Sequence, residues 1–172
     1  MVWTEQFKGV SFVVCIAILA LGAITVHADV LDDHKALIQR FADINNSRQY
    51  DKLDEIIHTD FVRHCQATPD VHVSSLDEFK AFVMADVSTF PDGRVEMTRL
   101  VAQGDLVAFY GLYTGTQKGP MGLFPATGRV IRVDVSGMFR IADGKIAELW
   151  IIWDNLTVLA QLGHSPAEPE GE

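Results

Sequence analysis

RVIRVDVSGMFRIADGKIAELWIIW, residues Arg129–Trp153, is the stretch whose reading decides the fold. It splits at Ala142-Asp143-Gly144 into two runs rich in Val, Ile, Phe and Trp. An Asp-Gly pair between such runs is a strong hairpin signal, because a tight two-residue turn needs positive φ at both central residues. Upstream, Arg94–Gln103 and Leu106–Gln117 have the same character and are joined across Gln103-Gly104-Asp105. Four strands in succession, joined by turns, predict an antiparallel sheet. The third joint is different: Lys118–Gly128 is a long glycine-rich loop, expected to act as a flexible flap.

The chain before Arg94 has helical rather than alternating periodicity. Leu31–Asn46 carries Leu31, Leu37, Ile38, Phe41 and Ile44 on one stripe, and Tyr50–Ile57 carries Leu53, Ile56 and Ile57. A third helix opens at Ser75, with Glu78 three residues on as a capping-box partner. Its stripe is Phe79, Phe82, Val83 and Val87, and Phe90-Pro91-Asp92-Gly93 ends it. Asp60–Gln66 is expected to be a short strand or an extended arm, and Leu156–Leu162 a last helical turn. Helices first and strands afterwards predict an α+β fold, with helices packed on one curved sheet.

The N-terminus reads as a targeting segment. An apolar run from Val10 to Val26 precedes Val26-His27-Ala28, so residues 1–28 are expected to be a signal peptide cleaved after Ala28, or an uncleaved N-terminal anchor. Export to the periplasm or beyond follows from the first reading and membrane attachment from the second. Residues 29–163 form the single domain, and 164–172 a disordered Pro/Glu/Gly tail. With 14 basic against 23 acidic residues the net charge is −9, and no Lys/Arg cluster reverses it locally. Nucleic acid is therefore not an expected partner. Cys15 lies in the apolar run, which leaves a processed chain with Cys65 alone and no intrachain disulfide. His34, His58 and His72 lack metal-ligand spacing, and no cofactor is expected.

Three segments carry a family resemblance. The first is Asn46–His64, with Asp60-Phe61-Val62-Arg63-His64. The second is Tyr113-Thr114-Gly115-Thr116-Gln117-Lys118-Gly119-Pro120, continuing to Pro125-Ala126-Thr127-Gly128-Arg129. The third is Phe139-Arg140-Ile141-Ala142-Asp143-Gly144-Lys145-Ile146-Ala147-Glu148-Leu149-Trp150, then Trp153-Asp154. Together they resemble the SnoaL-like polyketide (ester) cyclases of the nuclear-transport-factor-like superfamily. The resemblance implies a curved antiparallel sheet wrapped around three helices, a cone-shaped, cystatin-like roll that encloses a pocket and often dimerises through the sheet.

It also implies a chemistry, the intramolecular aldol closure of a polyketide methyl ester. That reaction needs a base for a proton alpha to a carbonyl and an acid for the developing alkoxide. The family positions for this pair, an aspartate directly after the motif Trp and a histidine fourteen positions upstream, fall on Ile151 and Gly137, and the motif histidine falls on Leu149. None of the three titrates. The resemblance therefore leaves two expectations. One is a cyclase or isomerase acting on an apolar carbonyl compound, with His64 as base and Tyr113 as hydrogen-bond donor. The other is a non-catalytic protein that holds a small apolar molecule. For His64 the alternative is a hydrogen-bonded structural histidine, and for Cys65 a small buried side chain. Asp154 reads as a helix cap or as a group at the pocket mouth.

Strand alternation sorts the remaining candidates. With Ile151 toward the pocket, Leu149 and Trp153 join it, followed by Val135, Gly137 and Phe139, and by Phe109, Gly111 and Tyr113. Arg132, Asp134 and Trp150 then face outward, where a homodimer contact is expected.

Overall fold

The computed structural model describes residues 10–164, with side chains from Asp29 onward. The expected leader or anchor over residues 1–28, and the tail beyond residue 164, lie outside the residues whose side chains are described. Among those that are described, no helix is long and apolar enough to cross a membrane.

The elements run α1 (Val10–Ser47), a 3-10 turn (Tyr50–Lys52), α2 (Leu53–Ile56), β1 (Ile57–Cys65), α3 (Leu76–Thr89), β2 (Arg94–Gln103), β3 (Leu106–Thr116), β4 (Val130–Ala142), β5 (Lys145–Trp153) and α4 (Asn155–Leu162). One five-stranded sheet has the order β1-β5-β4-β3-β2. The α+β expectation holds, with the helices on one side of a mostly antiparallel sheet. The difference is at the edge. The segment read as a short strand or arm is a nine-residue strand, β1, which pairs parallel to β5. No tight turn joins these two strands, so nothing local forces them to be antiparallel. The second expected helix divides into a 3-10 turn and a single α-turn, and Ile57 begins the strand.

Local chemistry explains the joints. Asp143 and Gly144 have φ values of 50° and 72°, the paired positive φ that the tight β4–β5 turn requires. Ser75 Oγ accepts from the Glu78 amide at 3.2 Å, while the Glu78 carboxylate returns to the Ser74 amide at 2.7 Å. Asp154 Oδ1 accepts from the Leu156 amide at 2.9 Å, so Asp154 is the cap of α4 and not a cavity group. α4 lies against β4: the Gln161 side chain accepts from Arg132 N at 2.7 Å and donates to Arg132 O at 3.0 Å, pairing with the strand as another strand would.

The core is a relay of phenylalanines between helices and sheet. Phe61 meets Phe79 at 5.0 Å between ring centroids, Phe41 meets Phe139 at 5.2 Å, and Phe139 meets Phe109 at 5.1 Å. Each such ring, once fully buried, contributes about 1.5–3 kcal/mol. α1 is thereby fixed onto β4 and α3 onto β1.

Candidate functional site

Cross-strand register builds one wall of a cavity. Gly111, Val135 and Trp153 stand in one row across β3, β4 and β5; Phe109, Gly137 and Ile151 form the next row, and Val107, Phe139 and Leu149 the one after. A cavity of about 980 Å³ opens over these rows. Phe109, Tyr113, Val135, Leu149, Ile151 and Trp153 all line it, on the face that alternation assigned to them.

Gly111 and Gly137 share the row positions but do not themselves line the cavity, because neighbouring atoms cover them. A Cβ on Gly137 would lie 2.0 Å from the Trp150 carbonyl oxygen and 2.8 Å from Cε1 of Phe109, so the Phe109 ring occupies the space a side chain would need. A Cβ on Gly111 would meet the Glu96 carbonyl oxygen at 2.7 Å. Ile151 and Gly137 are direct cross-strand partners. The family's acid–base pair positions are thus adjacent here, and both are occupied by non-titrating residues.

His64 is elsewhere. On β1 the buried residues are Ile57, Phe61 and Arg63, so alternation turns His64 to the outer face of the sheet. Its ring stacks on Trp150 at 5.1 Å, and Nε2 is 3.2 Å from Glu148 Oε2. Glu148 also accepts from Arg140 Nε at 2.9 Å, and this bond, with His64 as a further partner, holds its carboxyl below the usual range. The expectation that His64 reaches the pocket as a base is therefore corrected. It is a member of an outer-face charge cluster, and Arg63 points inward in its place.

The groups that do titrate inside the cavity come mainly from α3 and the segments around it. Asp86 sits seven residues after Phe79 and three after Val83, on the stripe α3 turns toward the sheet. Tyr113 Oη donates to Asp86 Oδ2 at 3.0 Å. Burial raises the Asp86 pKa, and this outweighs the opposing effects of the Tyr113 hydrogen bond and of the Arg48 and Arg63 charges. Burial, reinforced by the neighbouring Asp86 carboxylate, also drives the Tyr113 phenol far above its ordinary value, so it stays protonated. Gly93 makes room for it: a Cβ there would stand 2.4 Å from the Tyr113 hydroxyl oxygen. Tyr50 is a second phenol in the lining, its pKa raised chiefly by burial.

Two guanidiniums share the cavity wall. Arg48 is committed to the backbone, donating to Asn45 O at 2.8 Å, Pro91 O at 3.1 Å and Gly93 O at 2.8 Å. Arg63 is 6% exposed and donates to Thr68 Oγ1 at 3.1 Å.

The glycine-rich loop forms part of the rim through Pro120, Met121 and Gly122. Its base is fastened. The Lys118 and Gly119 amides both donate to Thr89 O, at 2.8 and 3.2 Å, and the buried Gln117 Oε1 accepts from the Thr127 hydroxyl at 2.8 Å.

Asp86 and Arg63 are the site residues that sequence reasoning passed over. Asp86 had a readable signal, an acid at i+7 on an apolar helical stripe. For Arg63 the signal was Phe61 two residues before it, which sets the phase of β1 with Arg63 inward.

The family model described as SnoaL-like polyketide cyclase matches residues 35–162. None of the curated proteins matches the chain. Among solved structures, TsrD from Streptomyces laurentii is 27% identical with a TM-score of 0.68, covering 77% of this chain and 96% of its own. IdmH from Streptomyces antibioticus is 31% identical with a TM-score of 0.66, covering 76% and 98%. A SnoaL-like protein from a Jannaschia species, 22% identical with a TM-score of 0.71 over 79% of this chain and 95% of its own, shares the fold. A sheet register that makes positions 137 and 151 direct cross-strand partners beside a cavity, and a family match across nearly all of the domain, lead to one conclusion: the chain belongs to the SnoaL-like polyketide cyclase family.

Proposed function

We propose that the protein is a cyclase or isomerase of apolar carbonyl compounds in which Asp86 replaces the family's acid–base pair. The observation that carries this reading is the half-buried Asp86 carboxyl in the cavity wall, hydrogen-bonded by Tyr113 at 3.0 Å. A carboxylate whose pKa is raised by burial is a better proton acceptor than one in water. Asp86 takes the proton alpha to a carbonyl, leaving an enolate. The enolate carbon then attacks a second carbonyl in a cyclisation, or is reprotonated at another position in an isomerisation. In either case the proton held on Asp86 returns to the product, so the residue ends as it began. Tyr113 keeps the carboxylate oriented, and the lining of Phe109, Val135, Leu149 and Ile151 receives the hydrocarbon part of the substrate.

A second reading, a non-catalytic holder of an apolar ligand, is favoured by the loss of both family positions at Ile151 and Gly137. One experiment separates the two. Hydrophobic ketones, β-keto esters and polyketide methyl esters are incubated with the protein in D2O, and α-deuterium incorporation and ring closure are followed by NMR. Exchange or closure that Asp86→Asn removes and His64→Ala spares supports the enzyme. Tight binding with no exchange in any substrate class supports the holder and overturns the role given to Asp86.

A further inference from the structure

Arg63 is a buried cation with unspent hydrogen-bonding capacity. Its guanidinium lies over the Phe82 ring at 4.4 Å and faces the Trp153 ring at 5.8 Å, and both rings line the cavity with it. Of its five N–H donors, Nη1 is given to Thr68 Oγ1 and the Cys65 side chain is a further hydrogen-bond partner, which leaves the remaining donors of the fork free. Among the described residues no carboxylate pairs with it within 4.0 Å. The neighbours that exert an electrostatic pull on it are Cys65 and Asp86, and an Asp86 oxygen is engaged by Tyr113. The other charged groups lining the cavity do not answer it. Arg48 is positive and spent on carbonyls, Arg94 is positive and exposed, and Glu78 is exposed and held by Ser74.

A desolvated guanidinium with no carboxylate in contact is costly, and the rings beside it offset only part of that cost. The planar fork it presents matches a carboxylate, which accepts two parallel N–H bonds. Phe82 and Trp153 flank the fork with apolar surface, so the anion it suits is one attached to a hydrophobic body.

We infer that Arg63 is a recognition subsite for a carboxylate on an otherwise apolar ligand, and that the cavity selects hydrophobic monocarboxylic acids over their esters. This rests on the cavity being a ligand site, as proposed above, but not on turnover.

The test is calorimetric binding of a matched pair, 2-naphthylacetic acid and its methyl ester, to the full chain at pH 7.5, for wild type, Arg63→Lys and Arg63→Gln. Wild type is expected to bind the acid at least about tenfold tighter than the ester, the least that a hydrogen bond to a charged group of this kind contributes. The preference should shrink in Arg63→Lys, which keeps the charge without the fork, and vanish in Arg63→Gln while ester affinity persists. Equal wild-type affinity for acid and ester overturns the inference and leaves the cavity reading standing. So does a preference for the acid that Arg63→Gln preserves. Failure of wild type to bind either probe overturns the cavity as a ligand site and this subsite with it. Should Arg63→Gln not fold, the wild-type ratio and its reduction in Arg63→Lys decide alone.

Discussion

Replacing Asp86 by Asn separates function from stability, because the two should move in opposite directions. The substitution preserves shape and an oxygen that accepts from Tyr113 Oη, 3.0 Å away in the wild type, and removes only the charge. If Asp86 is the proton acceptor, turnover should drop by about 10²–10⁴-fold, the usual contribution of a positioned base, or roughly 3–5 kcal/mol of barrier. Stability follows from the direction of the pKa shift. Burial raises the folded-state pKa of Asp86 above its ordinary value of 3.8. The folded chain then holds the proton more tightly than the unfolded chain, a contribution complete below the unfolded value and lost as pH rises through the folded one. At pH 8 the wild type therefore carries the cost of a partly desolvated carboxylate that the variant lacks, and Asp86→Asn should unfold at higher temperature or denaturant concentration. The gap should close as pH falls toward 3. Wild-type turnover should also fall as pH drops through the raised value, since a protonated carboxyl cannot accept. Urea titrations of both proteins across pH 3–8, beside deuterium-exchange rates, provide the readout. A variant less stable than wild type at pH 8 would refute the argument that burial of the charge dominates at this site, and undiminished exchange would place the base elsewhere.

Other outcomes follow from the same geometry. His64→Ala should leave cavity chemistry within about twofold of wild type, because the ring lies on the outer face against Trp150; a large loss of exchange would bring His64 back into the mechanism. Gly137→Ala should destabilise the fold by about 1–3 kcal/mol, as overpacking does, since the new Cβ would meet the Trp150 carbonyl oxygen at 2.0 Å and the Phe109 ring at 2.8 Å; an unchanged urea midpoint would show that the two strands can separate there. The outer face places Tyr110 and Ile152, 39% and 48% exposed, beside Trp150, and a homodimer is expected to form on it. Light scattering should give twice the chain mass at micromolar concentration and Ile152→Arg should halve it, whereas a wild-type monomer would reject that surface. Mass spectrometry of the native product should show a chain opening at Asp29, and an intact Met1 on membrane-bound material would favour the anchor instead.

The sheet was legible in the sequence because its signals are local. Asp143-Gly144 dictates a tight turn through backbone φ alone, and strict alternation along β3, β4 and β5 assigns Phe109, Val135, Leu149, Ile151 and Trp153 to one face. The caps at Ser75 and Asp154 lie within four residues of the amides they satisfy, so sequence spacing suffices to find them. The absence of a titrating side chain at 137 and 151 was equally plain, since it depends only on residue identity. What the sequence could not determine was which polar groups reach the cavity. Asp86 and Tyr113 are twenty-seven residues apart and meet only because α3, packed against β1, brings Asp86 within reach of the Tyr113 side chain on β3. Whether His64 or Arg63 enters the cavity depends on the phase of a strand whose partner, β5, is more than eighty residues away and runs parallel to it. A hydrogen bond and a strand phase of that kind are set by long-range packing of Phe61, Phe79 and Phe139, which the order of residues along the chain encodes but does not display.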